Sequence, residues 1–357
     1  MKTSLAGYYS LLSSYLNHKT SYLIFFVTSR CNARCKMCFY WRDIEKAHEK
    51  KILTLEEIKR IAKSFKYLAY LSVTGGEPIL RGDLDEIAHL FYKYSGTRFL
   101  TFSTNGLLPE KTEKTALSIL EKCPGLSLKI YVSIDHIEGK HDEIRGVKGA
   151  FRKACDTLSR LKKIKETNSN ISLLTETVLS SYNKDRITDI IDYIALRIKP
   201  DAQSIALARG DTRAKDAKDV TIAEYKNAID HTKKKTEKKG LMHALLELTR
   251  ETNFETLNCK KMILPCVAGR RLLTLTDDGL VLPCEMLKEM YPEGNFVMGD
   301  IRKSGYDINK VLNSRESRKA ISFIKKSNCH CTFECATLCN VVFNPKTYPK
   351  ILKGVFQ

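Results

Sequence analysis

The stretch that decides the fold is Tyr22-Leu23-Ile24-Phe25-Phe26-Val27-Thr28-Ser29-Arg30-Cys31-Asn32-Ala33-Arg34-Cys35-Lys36-Met37-Cys38. Its first half is an uninterrupted apolar run, the pattern of a strand buried on both faces. Its second half places three cysteines within eight residues, at the point where that strand ends. Soft thiolates suit zinc, copper(I) or iron–sulfur clusters. Three thiolates on one short loop can hold three corners of a cubane [4Fe–4S] cluster and leave the fourth iron open. Zinc sites usually close with a fourth Cys or His. No nearby cysteine completes this set, and the nearest histidine, His48, lies ten residues beyond Cys38. An open iron implies a ligand or substrate at that position.

Working outward, a strand–helix alternation follows. Candidate strands fall at 22–28, 68–74, 98–103, 128–134, 171–178 and 202–208, with helical patterns near 54–66, 83–94, 110–121, 148–165 and 185–196. Six β/α repeats with apolar strands predict a parallel sheet covered by helices, curved into an open barrel. In such sheets chemistry collects at the carboxyl ends of the strands. Gly75-Gly76-Glu77-Pro78 ends the second strand, and two glycines there let backbone approach a ligand closely. Residues 4–16 carry an amphipathic helix (Leu5, Tyr8, Tyr9, Leu12, Leu16) whose reading as a peripheral membrane contact is weakened by a serine-rich polar face. Residues 211–255 read as a charged helical linker. Beyond Cys259 come short strands, turns and cysteines, including a hairpin signal at Asp277-Asp278-Gly279 between 272–275 and 280–282. So short a piece needs metal staples to hold its own core.

Composition narrows the classes. Hydrophobic residues are 43% and charged residues 28%, which excludes wholesale disorder. The longest apolar run is far short of the ~18 residues of a membrane span, and the N-terminus lacks a secretory signal pattern. A secreted disulfide framework therefore gives way to intracellular metal ligation, and a cytoplasmic protein is expected. Of 12 cysteines, Cys123 and Cys155 stand alone and read as small buried hydrophobes. The balance of 60 Lys+Arg against 41 Asp+Glu leaves +19, either solvated lysines or an anionic partner. The run Lys233–Lys239 fits a helix terminus better than a binding patch.

Together the cysteine loop after strand one and the glycine motif after strand two resemble the radical S-adenosylmethionine (radical SAM) enzymes. The resemblance runs from about Phe25 to Cys339. It implies a [4Fe–4S] cluster on Cys31, Cys35 and Cys38 that reductively cleaves SAM, yielding a 5′-deoxyadenosyl radical that abstracts hydrogen from a substrate C–H bond. The family usually carries an aromatic residue before the third cysteine. Here that residue is Met37, and Phe39, Tyr40 and Trp41, which follow immediately, are the candidates for adenine instead. Gly75, Gly76, Glu77 and Pro78 resemble the motif that binds the methionyl amino group. Ser103 and Asn105 at the end of strand three, and Ser133 and Asp135 at the end of strand four, resemble segments that contact ribose or carboxylate. The segment His141–Gly146 resembles one whose arginine pairs with the SAM carboxylate, giving that role to Arg145 and its two-pronged guanidinium.

Cys266, then Gly279, then Cys284 fits the family's SPASM/twitch extension, which holds auxiliary iron–sulfur clusters. The remainder, Cys329, Cys331, Cys335 and Cys339, departs from its spacing, and one auxiliary cluster is expected rather than two. A helix through Cys331, Cys335 and Cys339 would align them at i, i+4, i+8; Cys259 could complete a further site or stand spare. The expected organisation is an N-terminal helix (1–20), a partial (β/α)6 barrel (21–210), a helical linker (211–255), a small cysteine-rich α+β SPASM/twitch-like domain (256–345) and a tail (346–357). The implied partners are a ferredoxin- or flavodoxin-type reductant and a substrate that is either a peptide or an anionic small molecule or lipid. About 20 residues precede strand one, too few for a leader-binding domain. Lys2, Lys19, Arg30, Arg34, Lys36 and Arg42, with no acid among the first 42 residues, favour the anionic substrate and salt-sensitive binding. The reading from a different class is a non-enzymatic iron–sulfur or zinc protein that binds nucleic acid. The SAM-like cradle at Gly75-Gly76 argues against it, and no nucleic-acid partner is expected.

Overall fold

The computed structural model describes residues 15–16, 20–235 and 240–356. Most of the expected N-terminal helix, including Lys2 and Lys19, lies outside the described residues. Six parallel strands, β1 (Tyr22–Thr28), β2 (Tyr70–Gly75), β3 (Phe99–Thr104), β4 (Ser127–Ser133), β5 (Ile171–Leu179) and β6 (Ala202–Leu207), lie side by side in sequence order. This is the partial (β/α)6 barrel. Helices α1 (Leu55–Ser64), α2 (Leu84–Tyr94), α3 (Pro109–Lys122), α4 (Glu138–Arg145), α5 (Ala150–Thr167) and α6 (Ile187–Tyr193) run between the strands. The alternation of β4, buried at every second residue, sends Leu128, Ile130 and Val132 outward to the helices and Lys129, Tyr131 and Ser133 inward. Phe25, Phe91 and Phe102 sit fully buried in the outer layer. Each contributes about 2–3 kcal/mol by leaving water.

The strand boundaries depart from the sequence reading by at most two residues. Two larger differences have physical causes. The segment 211–255 is no linker: α7 (Ile222–Lys235) and α8 (Leu241–Cys259) pack, α9 (Arg315–Lys326) follows in the chain, and α8 lies against α10 (Glu334–Val342) and α11 (Tyr348–Phe356) through Ala244, Leu248, Val341 and Ile351. Several of its charged residues are paired, with Glu247 between Arg250 and Lys233. The cysteine-rich segment also joins the main sheet. β7 (Leu272–Leu275) runs parallel to β1, and β8 (Leu280–Leu282) and β9 (Gly299–Asp300) continue antiparallel. The hairpin turn at 277–279 forms as expected, and Cys123 and Cys155 pack with the main core.

A carboxylate fixes this junction. Thr54 and Glu57 form a capping box at the start of α1. Arg302 also donates to Glu57, at 2.7 Å from Nε and 3.2 Å from Nη2, and reaches the carbonyls of Asp278, Lys51 and Ile52. Hydrogen bonding from Arg302 lowers the Glu57 carboxyl to about 2. A depressed carboxyl stabilises the fold above its unfolded range and loses that contribution as pH falls through the folded value. Arg302→Ala should therefore cost about 1–3 kcal/mol at neutral pH. The deficit, measured by denaturant titration, should shrink as pH falls from about 4.5 towards about 2.

Candidate active site

The three thiols of Cys31, Cys35 and Cys38 lie within electrostatic reach of one another. Their loop is strung between two neighbours by backbone hydrogen bonds: Arg34 and Lys36 donate to Arg145 and Ile144, while Arg213 and Ala214 donate to Cys38 and Lys36. Burial pushes the Cys31 thiol up to about 11 and the Cys38 thiol up to about 12. A metal that takes such a sulfur as thiolate offsets this cost, and the thiol proton leaves to solvent. Among the described residues no three Cys, His, Asp or Glu side chains converge on a single metal ion. Thiolates at the corners of a cubane bind separate irons and need no such convergence.

Gly75 and Gly76 press against the start of this loop. Gly76 and Glu77 donate N–H bonds of 2.8 Å to the carbonyls of Thr28 and Arg30. A Cβ on Gly75 would stand 2.2 Å from the Thr28 oxygen, and one on Gly76 2.2 Å from the Arg30 oxygen. Gly75 moreover has φ +132°, which side chains rarely adopt. Pro78 then opens a single helical turn. The Glu77 carboxylate points into protein: it accepts from Ile79 N at 3.2 Å, Thr104 Oγ1 at 2.8 Å and Asn105 N at 2.7 Å. Its geometry is that of a brace between the ends of β2 and β3. Asn105 in turn donates to Asn32 Oδ1 at 2.8 Å, tying β3 to the cysteine loop.

Arg145 and Asp135 form a buried ion pair at 2.5 Å, and Arg145 Nη1 lies 3.6 Å from Cys35 Sγ. Asp135 also accepts from Val178 N at 2.9 Å. Arg145 therefore has an internal partner, while its buried Nε finds no acceptor among the described residues. That orphaned donor and the glycine cradle fit a bound amino acid moiety. Phe39 and Tyr40 part company. Phe39 lines the interior cavity, whereas Tyr40 packs on Phe26 and shares a 2.8 Å hydrogen bond with Ser29 Oγ.

That cavity, about 310 Å³, occupies the inner face of the barrel and is closed by α8 and the cysteine-rich segment. Ser103 and Met37 line it. So do residues that motif reading missed: Tyr22, Tyr70, Tyr131, Glu176, Arg209 and Glu285. For Tyr70, Tyr131 and Glu176 the inward positions of the strands were the available signal; Arg209 and Glu285 lie on loops beyond strand ends. Arg209 is bonded to Glu285 at 3.0 Å and to Glu334. Burial raises Glu176 to about 7.

The candidate auxiliary cysteines Cys266, Cys284, Cys329, Cys331, Cys335 and Cys339 share one apolar cluster with Tyr22, Ile24 and Phe26 of β1. Cys266 lies within electrostatic reach of Cys284, Cys329, Cys331 and Cys339. Burial raises the Cys329 and Cys331 thiols to about 12 and about 11. The expected i, i+4, i+8 helix is corrected: α10 begins at Glu334, so Cys331 precedes it and only Cys335 and Cys339 lie on it. Cys335 faces the cavity, where Tyr22 Oη donates to its sulfur at 3.5 Å. Cys259 is exposed at the end of α8 and stands outside this cluster.

The Radical SAM superfamily model matches residues 25–194, and the SPASM model, an iron–sulfur cluster-binding domain, matches 266–339. The chain belongs to the radical SAM superfamily. As a radical SAM enzyme it uses a [4Fe–4S] cluster and SAM, with auxiliary iron–sulfur ligation in its SPASM domain. The reading as a non-enzymatic nucleic-acid binder falls with this assignment. Among curated relatives, GTP 3′,8-cyclase of Peptoclostridium acidaminophilum is 28% identical over 51% of this chain and 53% of its own length. GTP 3′,8-cyclase of Clostridium botulinum is 24% identical over 74% of this chain and 81% of its own length. The chain spans about half the length of the first curated relatives it matches. Among solved structures, Streptococcus suis SuiB bound to precursor peptide SuiA matches with TM-score 0.61 and 16% identity, over 89% of this chain and 70% of that one. Native anSMEcpe with bound AdoMet and Cp18Cys peptide matches with TM-score 0.61 and 18% identity, over 94% and 96%. At that identity the likeness is one of fold. No helix of the described residues is long and apolar enough to cross a membrane.

Gly76→Ala should force β2 away from the cysteine loop and lower both iron content and SAM affinity, read by iron assay and equilibrium dialysis. Gly82→Ala, whose Cβ would meet nothing within 4 Å, should leave both unchanged.

Proposed function

We propose that this enzyme abstracts hydrogen from a side chain of a peptide or protein held in the barrel cavity. The observation that carries the reading is the engagement of the cavity's cations. A nucleoside triphosphate or other polyanion requires several unengaged guanidinium or ammonium groups. Both cavity-lining guanidiniums are already held by carboxylates, Arg209 by Glu285 and Glu334, and Arg250 by Glu247. Among the described residues, the basic N-terminal side chains that suggested an anionic substrate lie elsewhere. Arg30 and Arg34 are exposed on the cysteine loop, Arg42 pairs with Asp211 at 2.6 Å, and none lines the cavity. Those exposed cations suit the docking of an acidic reductant of ferredoxin or flavodoxin type. The peptide complexes formed by SuiB and anSMEcpe agree with the substrate class proposed.

In this reading the bound cluster and SAM supply the 5′-deoxyadenosyl radical. Cys31, Cys35 and Cys38 hold three irons, the Gly75–Gly76 backbone and Arg145 orient SAM's amino acid end, and Phe39 borders the cavity on the cluster side. Ser103, Ser133 and Asn105 stand at the strand ends where ribose and carboxylate contacts belong. Glu77 and Asp135 hold this rim in place rather than touching SAM. We assign the auxiliary cluster to Cys266, Cys284, Cys329 and Cys331, because Cys284 and Cys329 each lie within electrostatic reach of both Cys266 and Cys331.

Replacing Cys31, Cys35 and Cys38 together with Ala should abolish 5′-deoxyadenosine formation under dithionite, while iron and sulfide persist on the C-terminal cysteines. Continued SAM cleavage by the triple variant would overturn the assignment of the catalytic cluster. Loss of all cluster absorption would remove the auxiliary site. For the substrate, comparison of wild-type and deletion strains should show a peptide whose mass changes only when the enzyme is present. Conversion of GTP by the purified enzyme would contradict the proposed class.

A further inference from the structure

We propose that the cavity selects a substrate group bearing positive charge or hydrogen-bond donors, and that the Glu176 carboxylate receives it. The inference rests on the cavity being the substrate chamber. Glu176 projects from the inner face of β5, its neighbours across the sheet being Ser133 on β4 and Ser204 on β6. It lines the cavity, yet none of the hydrogen bonds or ion pairs found among the described residues engages its carboxylate. The other acids lining that space, Glu285 and Glu334, are each ion-paired with Arg209, although Glu334 Oε1 finds no hydrogen-bond partner among the described residues. An acid left without a partner inside protein is costly, and a ligand that completes it regains that cost.

Among the acids lining the cavity, Glu176 is the member without an ion-pair partner among the described residues. Glu334 opposes its ionisation, and Arg209 favours it but is already shared by two carboxylates. Asp135 opposes and Arg145 favours ionisation, and these two neutralise each other at 2.5 Å. Tyr131 also faces this space and remains a neutral phenol, because burial and its neighbours raise its pKa. A cation entering here meets a carboxylate that is partly protonated near neutrality. Binding would drive that proton off, so affinity should rise with pH across the Glu176 titration. Tyr22, Tyr70 and Tyr131 add aromatic faces that suit the stem of an amine or guanidinium side chain.

The test uses the anaerobically reconstituted enzyme with SAM, and benzylammonium and benzoate as probes of opposite charge and similar shape. Isothermal calorimetry in buffers of differing ionisation enthalpy reads affinity and proton release together. Benzylammonium should bind wild type more tightly than benzoate, with proton release near neutral pH and affinity rising between about pH 6 and about pH 8. Glu176→Gln should weaken benzylammonium roughly tenfold or more and flatten the pH dependence, with SAM affinity unchanged. Glu176→Asp, which keeps the charge, should retain the pH dependence, so a fold defect in the Gln variant is separable from loss of charge. Preference for benzoate, no benzylammonium binding by wild type, or equal binding to Glu176→Gln would overturn the proposal. A lysine- or arginine-bearing peptide pool supplies the second arm. Glu176-dependent benzylammonium binding with no peptide modified would retain the cation site and reject the peptide reading. A modified peptide with Glu176 indifferent would do the reverse.

Discussion

The seam between the cysteine loop and the glycine turn is the constraint on which the site depends. Two 2.8 Å hydrogen bonds, from Gly76 and Glu77 to Thr28 and Arg30, extend the β1–β2 ladder past the end of the strands. Backbone meets backbone there at a distance that admits no Cβ. The loop that offers three thiols is thereby fixed to the turn proposed to hold the SAM amino group, and Glu77 and Asn105 carry the fixation on to β3. Geometry of this kind uses glycine for the approach and leaves carbonyl oxygens for a ligand.

The second dependence runs through β1. Its outward residues, Leu23, Phe25 and Val27, pack into the main barrel core, while inward Tyr22, Ile24 and Phe26 pack with the C-terminal cysteines. β7 joins its other edge in parallel register. One strand therefore positions the catalytic loop, the cavity wall and the auxiliary thiols together. A disturbance of the SPASM segment should be felt by the barrel for this reason.

Much of this was legible in the sequence because the signals are local. The apolar run before Cys31, the strand and helix periods, and the hairpin turn at 277–279 each depend on neighbours in the chain. Sequence reading failed where partners are distant. The charged 211–255 segment looked like a linker because the contacts of α8 with α10 and α11 lie far along the chain. Cys331 was drawn into a helix because spacing alone does not reveal that α10 begins at Glu334. The ion pair between Arg145 and Asp135 was likewise out of reach of sequence reading, because it forms only when α4 folds back on β4. The basic N-terminal stretch was visible, but that Arg30, Arg34 and Arg42 lie outside the cavity lining was not.

The central claim is that one loop and one cluster of C-terminal thiols hold two separate iron–sulfur centres on either side of a shared cavity. Anomalous diffraction at the iron edge, from anaerobically grown crystals of the reconstituted enzyme with SAM, tests this most directly. The account predicts one iron centre on Cys31, Cys35 and Cys38 with no fourth protein ligand and the SAM amino group against Gly75–Gly76, and a second on Cys266, Cys284, Cys329 and Cys331. A fourth protein ligand on the first centre, or a single centre shared between the two cysteine groups, would contradict it.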